Sequence, residues 1–172
     1  MDNKQLDHRH HQSTKKKYPV CLLAHDMELA TNIGSLFRIV DALGIEKLYL
    51  SGSSPTPPNS KITKTSRSTE KSVPFTYFEE PSALLKQLKS DGYTIISLEI
   101  TSSSIDVLDL AVAPSERICL ILGAENSGIC QEMLDQSDKT IHIAMQGQNS
   151  SMNIAIACSI AVFEIIRKIN RK

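Results

Sequence analysis

Two turns in this chain are made of residues that hold ligands rather than residues that only connect elements. The first, Gly123-Ala-Glu-Asn-Ser-Gly128, follows the apolar run Ile118 to Leu122; the second, Met145-Gln-Gly-Gln-Asn-Ser-Ser-Met-Asn153, follows Ile141-His-Ile-Ala. In a parallel α/β sheet, ligands collect just beyond the carboxyl ends of the strands, so both turns stand where chemistry is expected. Phosphate cradling is the first chemistry to test. A P-loop ends in Gly-Lys-Ser/Thr, whereas Gly128 is followed by Ile129 and Cys130, and no Gly-x-Gly-x-x-Gly follows an early strand. Both nucleotide readings are weak. The bracketing glycines still suit positive φ or close approach of a ligand to the backbone. Glu125 between them is placed to accept backbone N–H bonds and hold the turn rigid. The second turn gathers Gln146, Gln148, Asn149, Ser150, Ser151 and Asn153, with Ser151 as a candidate helix cap. Ordinary capping explains these residues as well as a ligand does.

These turns need a scaffold, and the rest of the chain reads as one. Pro19 to Ala24 suits a buried strand. In Thr31–Gly44, Ile33, Leu36, Phe37 and Val40 form one helical stripe, with Thr31 or Asn32 as cap and Gly44 just past the end. Gly34 and Arg38 lie one turn apart, so the glycine is expected to clear space that the arginine enters; a solvated charge is the equal alternative. Lys47 to Leu50 reads as a strand leading into the proline-rich loop 51–59. Lys61, Lys64, Arg67 and Lys71 then recur at roughly helical spacing among Ser and Thr, with Glu70 the one acid, a pattern for a solvated face or for RNA phosphates. Phe75 to Phe78 reads as a strand, Pro81 to Ser90 as a helix with proline in its first turn, Tyr93 to Leu98 as a strand, and 101–115 as an irregular connection. Ile154 to Phe163 is apolar almost all round, the pattern of a buried helix. Strands alternating with helices give an α/β fold with a mainly parallel sheet flanked by helices. Residues 1–18 form a polar tail that leans basic and carries His8, His10 and His11, and 19–172 form one domain.

Composition narrows the partners little, because lysine plus arginine and aspartate plus glutamate balance at 19 each. The cysteines Cys21, Cys119, Cys130 and Cys158 contain no CxxC pair, and three lie in apolar runs, so a zinc site is not expected. No signal peptide and no apolar run of about 18 residues is present, which makes a cytoplasmic protein without a membrane anchor the expectation.

Three stretches together carry a resemblance. Asn32-x-Gly34-x-x-x-Arg38 closing on Leu43-Gly44, Leu122-Gly123-x-Glu125-x-x-Gly128, and Met145-x-Gly147-x-x-x-Ser151-Met152-Asn153 are similar, in order and spacing, to the three motifs of the SpoU (TrmH-type) RNA ribose methyltransferases of the SPOUT superfamily. The similarity covers roughly residues 19–170. It implies a C-terminal deep trefoil knot that binds S-adenosyl-L-methionine, mostly through backbone groups of Leu98 or Glu99, Gly123, Ile143 and Met152. It also implies a homodimer in which the second subunit borders each active site. Arg38 would engage the target ribose and its phosphate, and Asn32, Glu125, Ser151 and Asn153 would shape the pocket. The reaction implied is methyl transfer to a ribose 2′-hydroxyl of tRNA or rRNA, with tRNA somewhat favoured by the short length. Departures from the motifs are Ala144 for a usual proline, Leu43 for phenylalanine and Met152 for leucine. None removes a polar functional group. A non-catalytic RNA-binding protein and a base-nitrogen methyltransferase on the same fold are the alternatives.

Overall fold

Apolar residues alternate along the central strands, and that alternation sets the layering. Val20, Leu22 and Ala24 join one buried cluster while Cys21 and Leu23 join another, as period-two side chains on the two faces of a strand must. The computed structural model describes Lys4, His10 and residues 14–170, so the tail residues His8, Arg9 and His11 lie outside the described residues. The strands are β1 Tyr18–His25, β2 Ile45–Ser51, β3 Phe75–Phe78, β4 Tyr93–Leu98, β5 Ile105–Asp106, β6 Arg117–Leu122 and β7 Lys139–His142. The helices are α1 Ala30–Leu43, α2 Ser60–Ser66, α3 Pro81–Ser90, α4 Gln131–Asp135 and α5 Ile154–Ile169. The strands pair in parallel as one seven-stranded sheet in the order β3-β2-β1-β6-β4-β7-β5.

One face of the sheet is covered by α1, α2 and α5 and the other by α3 and α4. Both faces of β1 and β6 are therefore buried, which is why these strands read as continuous apolar runs. The chain runs outward from β1 to β3, then returns to place β6 against the other side of β1. Loops on either side of that reversal diverge and leave a crevice at the carboxyl ends of the strands.

Several local expectations are corrected. The connection 101–115 contains the short strand β5. Thr31 and Asn32 lie inside α1; its cap position is Leu29, whose side chain makes no capping bond. The basic residues from Lys61 to Lys71 do not ride one helix, because α2 ends at Ser66, and Arg67 and Ser68 are left-handed at φ 53° and 70° before a 3-10 turn over Thr69–Lys71. The cap of α5 is Asn153, not Ser151, its side chain accepting from the amides of Ala155 and Ile156. Nor is α5 buried all round: Ile156, Ile160 and Phe163 are exposed, Phe163 to 61%. A helix that is apolar on its open side still has a face to bury.

The space above Gly34 is also filled, rather than cleared for a side chain. A Cβ there would lie 2.7 Å from the Ile62 carbonyl oxygen and 2.7 Å from Thr65 Cβ, so the glycine lets the α2 backbone rest directly on α1. Overpacking at such a contact costs about 1–3 kcal/mol, more than the roughly 1 kcal/mol that alanine gains over glycine in a helix. Gly34→Ala is expected to be net destabilising by up to about 2 kcal/mol, measured by urea unfolding.

Candidate active site

A crevice of about 840 Å³ opens at the carboxyl ends of β4, β6 and β7. Its walls come from the start of α1, the segment after β4, the 124–129 turn and the segment leading into α5. Leu98, Glu99, Ile143 and Met152 line it, and so do Asn32, Glu125, Ser151 and Asn153. Gly123 lies buried behind the wall, and Ser151 is exposed on its rim.

One hydrogen-bonded chain ties the walls together. The Glu125 carboxylate accepts from the backbone N–H groups of Glu28 (2.8 Å) and Leu29 (3.2 Å) and from the Asn32 amide (2.7 Å). It therefore fastens the entry to α1 to a turn almost a hundred residues later in sequence, and places a negative charge at a helix N-terminus, where the helix dipole favours it. Asn32, itself buried, then accepts from the Asn153 amide at 3.1 Å, while Asn153 Oδ1 takes the first N–H groups of α5 at 3.0 and 3.3 Å. Two helix N-termini are joined through three side chains. Burial works to raise the Glu125 pKa, but the amides of Glu28, Asn32 and Leu29 outweigh it and hold the carboxyl below its usual range.

The turn that carries Glu125 is shaped by close backbone approach. Ala124 and Gly128 exchange two backbone hydrogen bonds, at 3.1 and 2.9 Å. A Cβ on Gly123 would sit 2.3 Å from Gly128 C, and one on Gly128, whose φ is +68°, would sit 2.3 Å from Glu99 Oε2. Glu99 in turn accepts from the amides of Ile100 (2.9 Å) and Ile129 (3.1 Å), fastening the segment after β4 to this turn.

Sequence reasoning passed over a further group on the crevice wall. Ser104 bonds the backbone N–H of Thr101 at 3.0 Å and the His142 Nδ1 at 3.0 Å. Thr101 Oγ1 is buried with no hydrogen-bond partner among the described residues. An unsatisfied buried hydroxyl is costly, and one beside a ligand-sized crevice fits a polar ligand there. The available signal was position: Thr101 comes three residues past the carboxyl end of β4, where ligands gather.

Comparison with known proteins identifies the fold's relatives. The family model described as the SpoU rRNA Methylase family matches residues 19–163. The chain belongs to that family. Among curated relatives, a "Putative TrmH family tRNA/rRNA methyltransferase" of Staphylococcus epidermidis is 26% identical over 91% of this chain and 62% of its own length. The "23S rRNA (guanosine-2'-O-)-methyltransferase RlmB" of Blochmanniella floridana is 27% identical over 87% of this chain and 58% of its own. The chain thus spans about three fifths of the length of these curated relatives. The solved SpoU methyltransferase AviRb of Streptomyces viridochromogenes, in complex with AdoMet, superposes with a TM-score of 0.79 at 24% identity, over 86% of this chain and 59% of that one.

In this SpoU family member Arg38 does not line the crevice. It is exposed on α1, on the wall of a second, apolar groove of about 580 Å³ between α1, Leu108 and the open face of α5. Lys61, Lys64, Arg67 and Lys71 are exposed on and after α2, apart from both cavities. Among the described residues no cluster of His, Cys, Asp and Glu could hold a metal, and no helix is long and apolar enough to cross a membrane. Because the Glu125 pKa is depressed on folding, its contribution to stability is complete above the unfolded value of about 4.3 and disappears as pH falls through the folded value. Glu125→Gln is expected to lose about 1 kcal/mol at neutral pH, as for a lost cap, and to fall less steeply than the parent protein below about pH 4.3 in urea titrations.

Proposed function

We propose that this protein transfers a methyl group from S-adenosyl-L-methionine to a ribose 2′-hydroxyl of RNA. The observation that carries the reading is the crevice at the carboxyl ends of β4, β6 and β7 in a chain of the SpoU family: its unpartnered Thr101 hydroxyl and the backbone around Leu98, Ile143 and Met152 suit the polar and apolar parts of the donor. When bound, the donor supplies an electrophilic methyl group on a sulfonium; the methyl–sulfur bond breaks as the methyl–oxygen bond forms, and the hydroxyl proton must leave. Glu125 is a poor acceptor for that proton, since three of its four lone-pair sites are taken by N–H donors and its carboxyl is held below the usual range. Its role is to hold Asn32 and, through it, Asn153 at the crevice mouth. Arg38, always protonated, is likewise no base. It clamps the phosphate 3′ to the target ribose, and that phosphate or a water takes the proton. Most of the rate comes from aligning donor and hydroxyl.

Arg38 reaches a crevice only if a second copy supplies it, so the functional form is a homodimer. The support is the exposed apolar face of Ile156, Ile160 and Phe163 beside Leu108, with Arg38 on the rim of the same groove. We extend the reading to a C-terminal trefoil knot; the support is that β7 lies between β4 and β5, which are consecutive in sequence, so the segment joining them crosses over β7. The acceptor class is tRNA ahead of rRNA, and the site of action is the cytoplasm.

Two outcomes test this reading. Arg38→Ala is expected to lower turnover at least a hundredfold on a panel of tRNA and rRNA while S-adenosyl-L-methionine binding by calorimetry is unchanged; nucleoside digests should contain 2′-O-methyl ribose, and base methylation instead would refute it. Phe163→Asp should convert a sedimenting dimer to monomer and abolish turnover without loss of secondary structure by circular dichroism; a persisting dimer would exclude this face as the interface.

A further inference from the structure

On the face of the sheet covered by α1 and α2, one basic track and one aromatic ring stand outside the crevice and the α5 groove. Lys61, Lys64 and Arg67 are exposed, and no ion pair within the described chain engages them. The one acid of the segment is turned inward. Glu70 is 8% exposed and accepts from the hydroxyls of Ser66 and Thr63, the Ser66 bond holding its carboxyl below the usual range. The charges presented outward by this segment are therefore positive. Gly34 seats α2 directly on α1, one turn from Arg38, so track and clamp share one side of the sheet.

The ring is Tyr77, 44% exposed on the edge strand β3. Phe75, two residues earlier, packs edge-on against Phe37 of α1 at 5.4 Å. Tyr77 therefore points to the same face, since alternate residues of a strand share a side. Its hydroxyl donates to the Gly52 carbonyl at 2.9 Å, which fixes the ring instead of burying it. A held, half-open ring on the same side of the sheet as these cations suits single-stranded nucleic acid: bases stack on the aromatic face and cations follow the backbone.

We infer that Lys61, Lys64, Arg67 and Tyr77 form a docking surface for a single-stranded stretch of the RNA substrate, flanking the nucleotide that is methylated. The inference rests on the RNA methyltransferase reading above. Tyr77 stacks one unpaired base, and the three cations follow the phosphates toward Arg38. A duplex gives the ring no free base, so the surface selects loops or tails of a folded RNA.

Fluorescence anisotropy with a labelled single-stranded ribo-oligonucleotide and a blunt-ended two-strand duplex of equal length tests this on the 172-residue chain. The single strand should bind more tightly. Tyr77→Ala should weaken it about tenfold, as for loss of one stacked base, and leave duplex binding unchanged. Tyr77→Phe, which loses the Gly52 tether but keeps the ring, should retain most of the affinity. Changing Lys61, Lys64 and Arg67 together to Ser should reduce the slope of log affinity against log salt by about 2, at roughly 0.7 per phosphate. Equal binding of both RNAs, an unaffected Tyr77→Ala or an unchanged salt slope would each overturn the proposal. Calorimetry separates it from the parent reading: wild-type protein that binds the single strand as described but takes up no S-adenosyl-L-methionine would refute methyl transfer and leave the docking surface standing.

Discussion

The Glu125 carboxylate lies where the start of α1, the turn after β6 and the approach to α5 converge, and the crevice depends on it. It accepts from the amides of Glu28 and Leu29, the two residues that lead into α1, whose cap position carries no side-chain acceptor. It also orients Asn32, and Asn32 holds Asn153, the cap of α5. The two helices that pack on one face of the sheet are thus set relative to each other by a short polar chain as well as by their apolar contacts. Neutral amides do this at little desolvation cost, and the single charge is placed where a helix dipole favours it.

This arrangement divides the labour between two faces of the molecule. The crevice is bounded by backbone, by neutral side chains and by the carboxylates of Glu99 and Glu125, whose oxygens are already bonded to amides. Cationic side chains suited to RNA are kept away from it, on α1 and α2. A chain with balanced overall charge can still present a positive track, because Glu70, the one acid of that segment, is turned inward. Glu125 is bonded to α1 and Glu70 to α2 hydroxyls, while Glu164 pairs with Arg167 at 2.6 Å.

Much of the scaffold could be read from period and punctuation. The strands β3 and β4 and the helix α3 fall where apolar alternation, proline and Asp91-Gly92 place them. The doubly buried strands β1 and β6 announce themselves as apolar runs for the reason given by their two clusters. What escaped was any feature that depends on a distant partner. The side chain that fastens the entry to α1 is 93 positions from Asn32, so no local pattern could replace the guess of Thr31 or Asn32. Gly34 looked like a vacancy because the backbone that fills it belongs to another helix. In α5, continuous apolarity was read as complete burial, although the same composition arises when one side packs inside the chain and the other is left for a partner. Arg38 was grouped with the crevice residues, yet a chain alone leaves it on a different wall.

The contact between Gly123, Gly128 and Glu99 bears on how this sequence can change with time. Each glycine excludes a side chain because of the other's backbone or because of the Glu99 carboxylate, and Glu99 in turn holds the Ile129 amide. Shortening residue 99 would relieve crowding at 128 but strand that amide, and it would do nothing for 123, where the obstacle is main chain. No single compensating replacement reopens both positions. The three sites can drift only together, so the turn is a place where neutral variation halts even while the helices around it are freely rewritten.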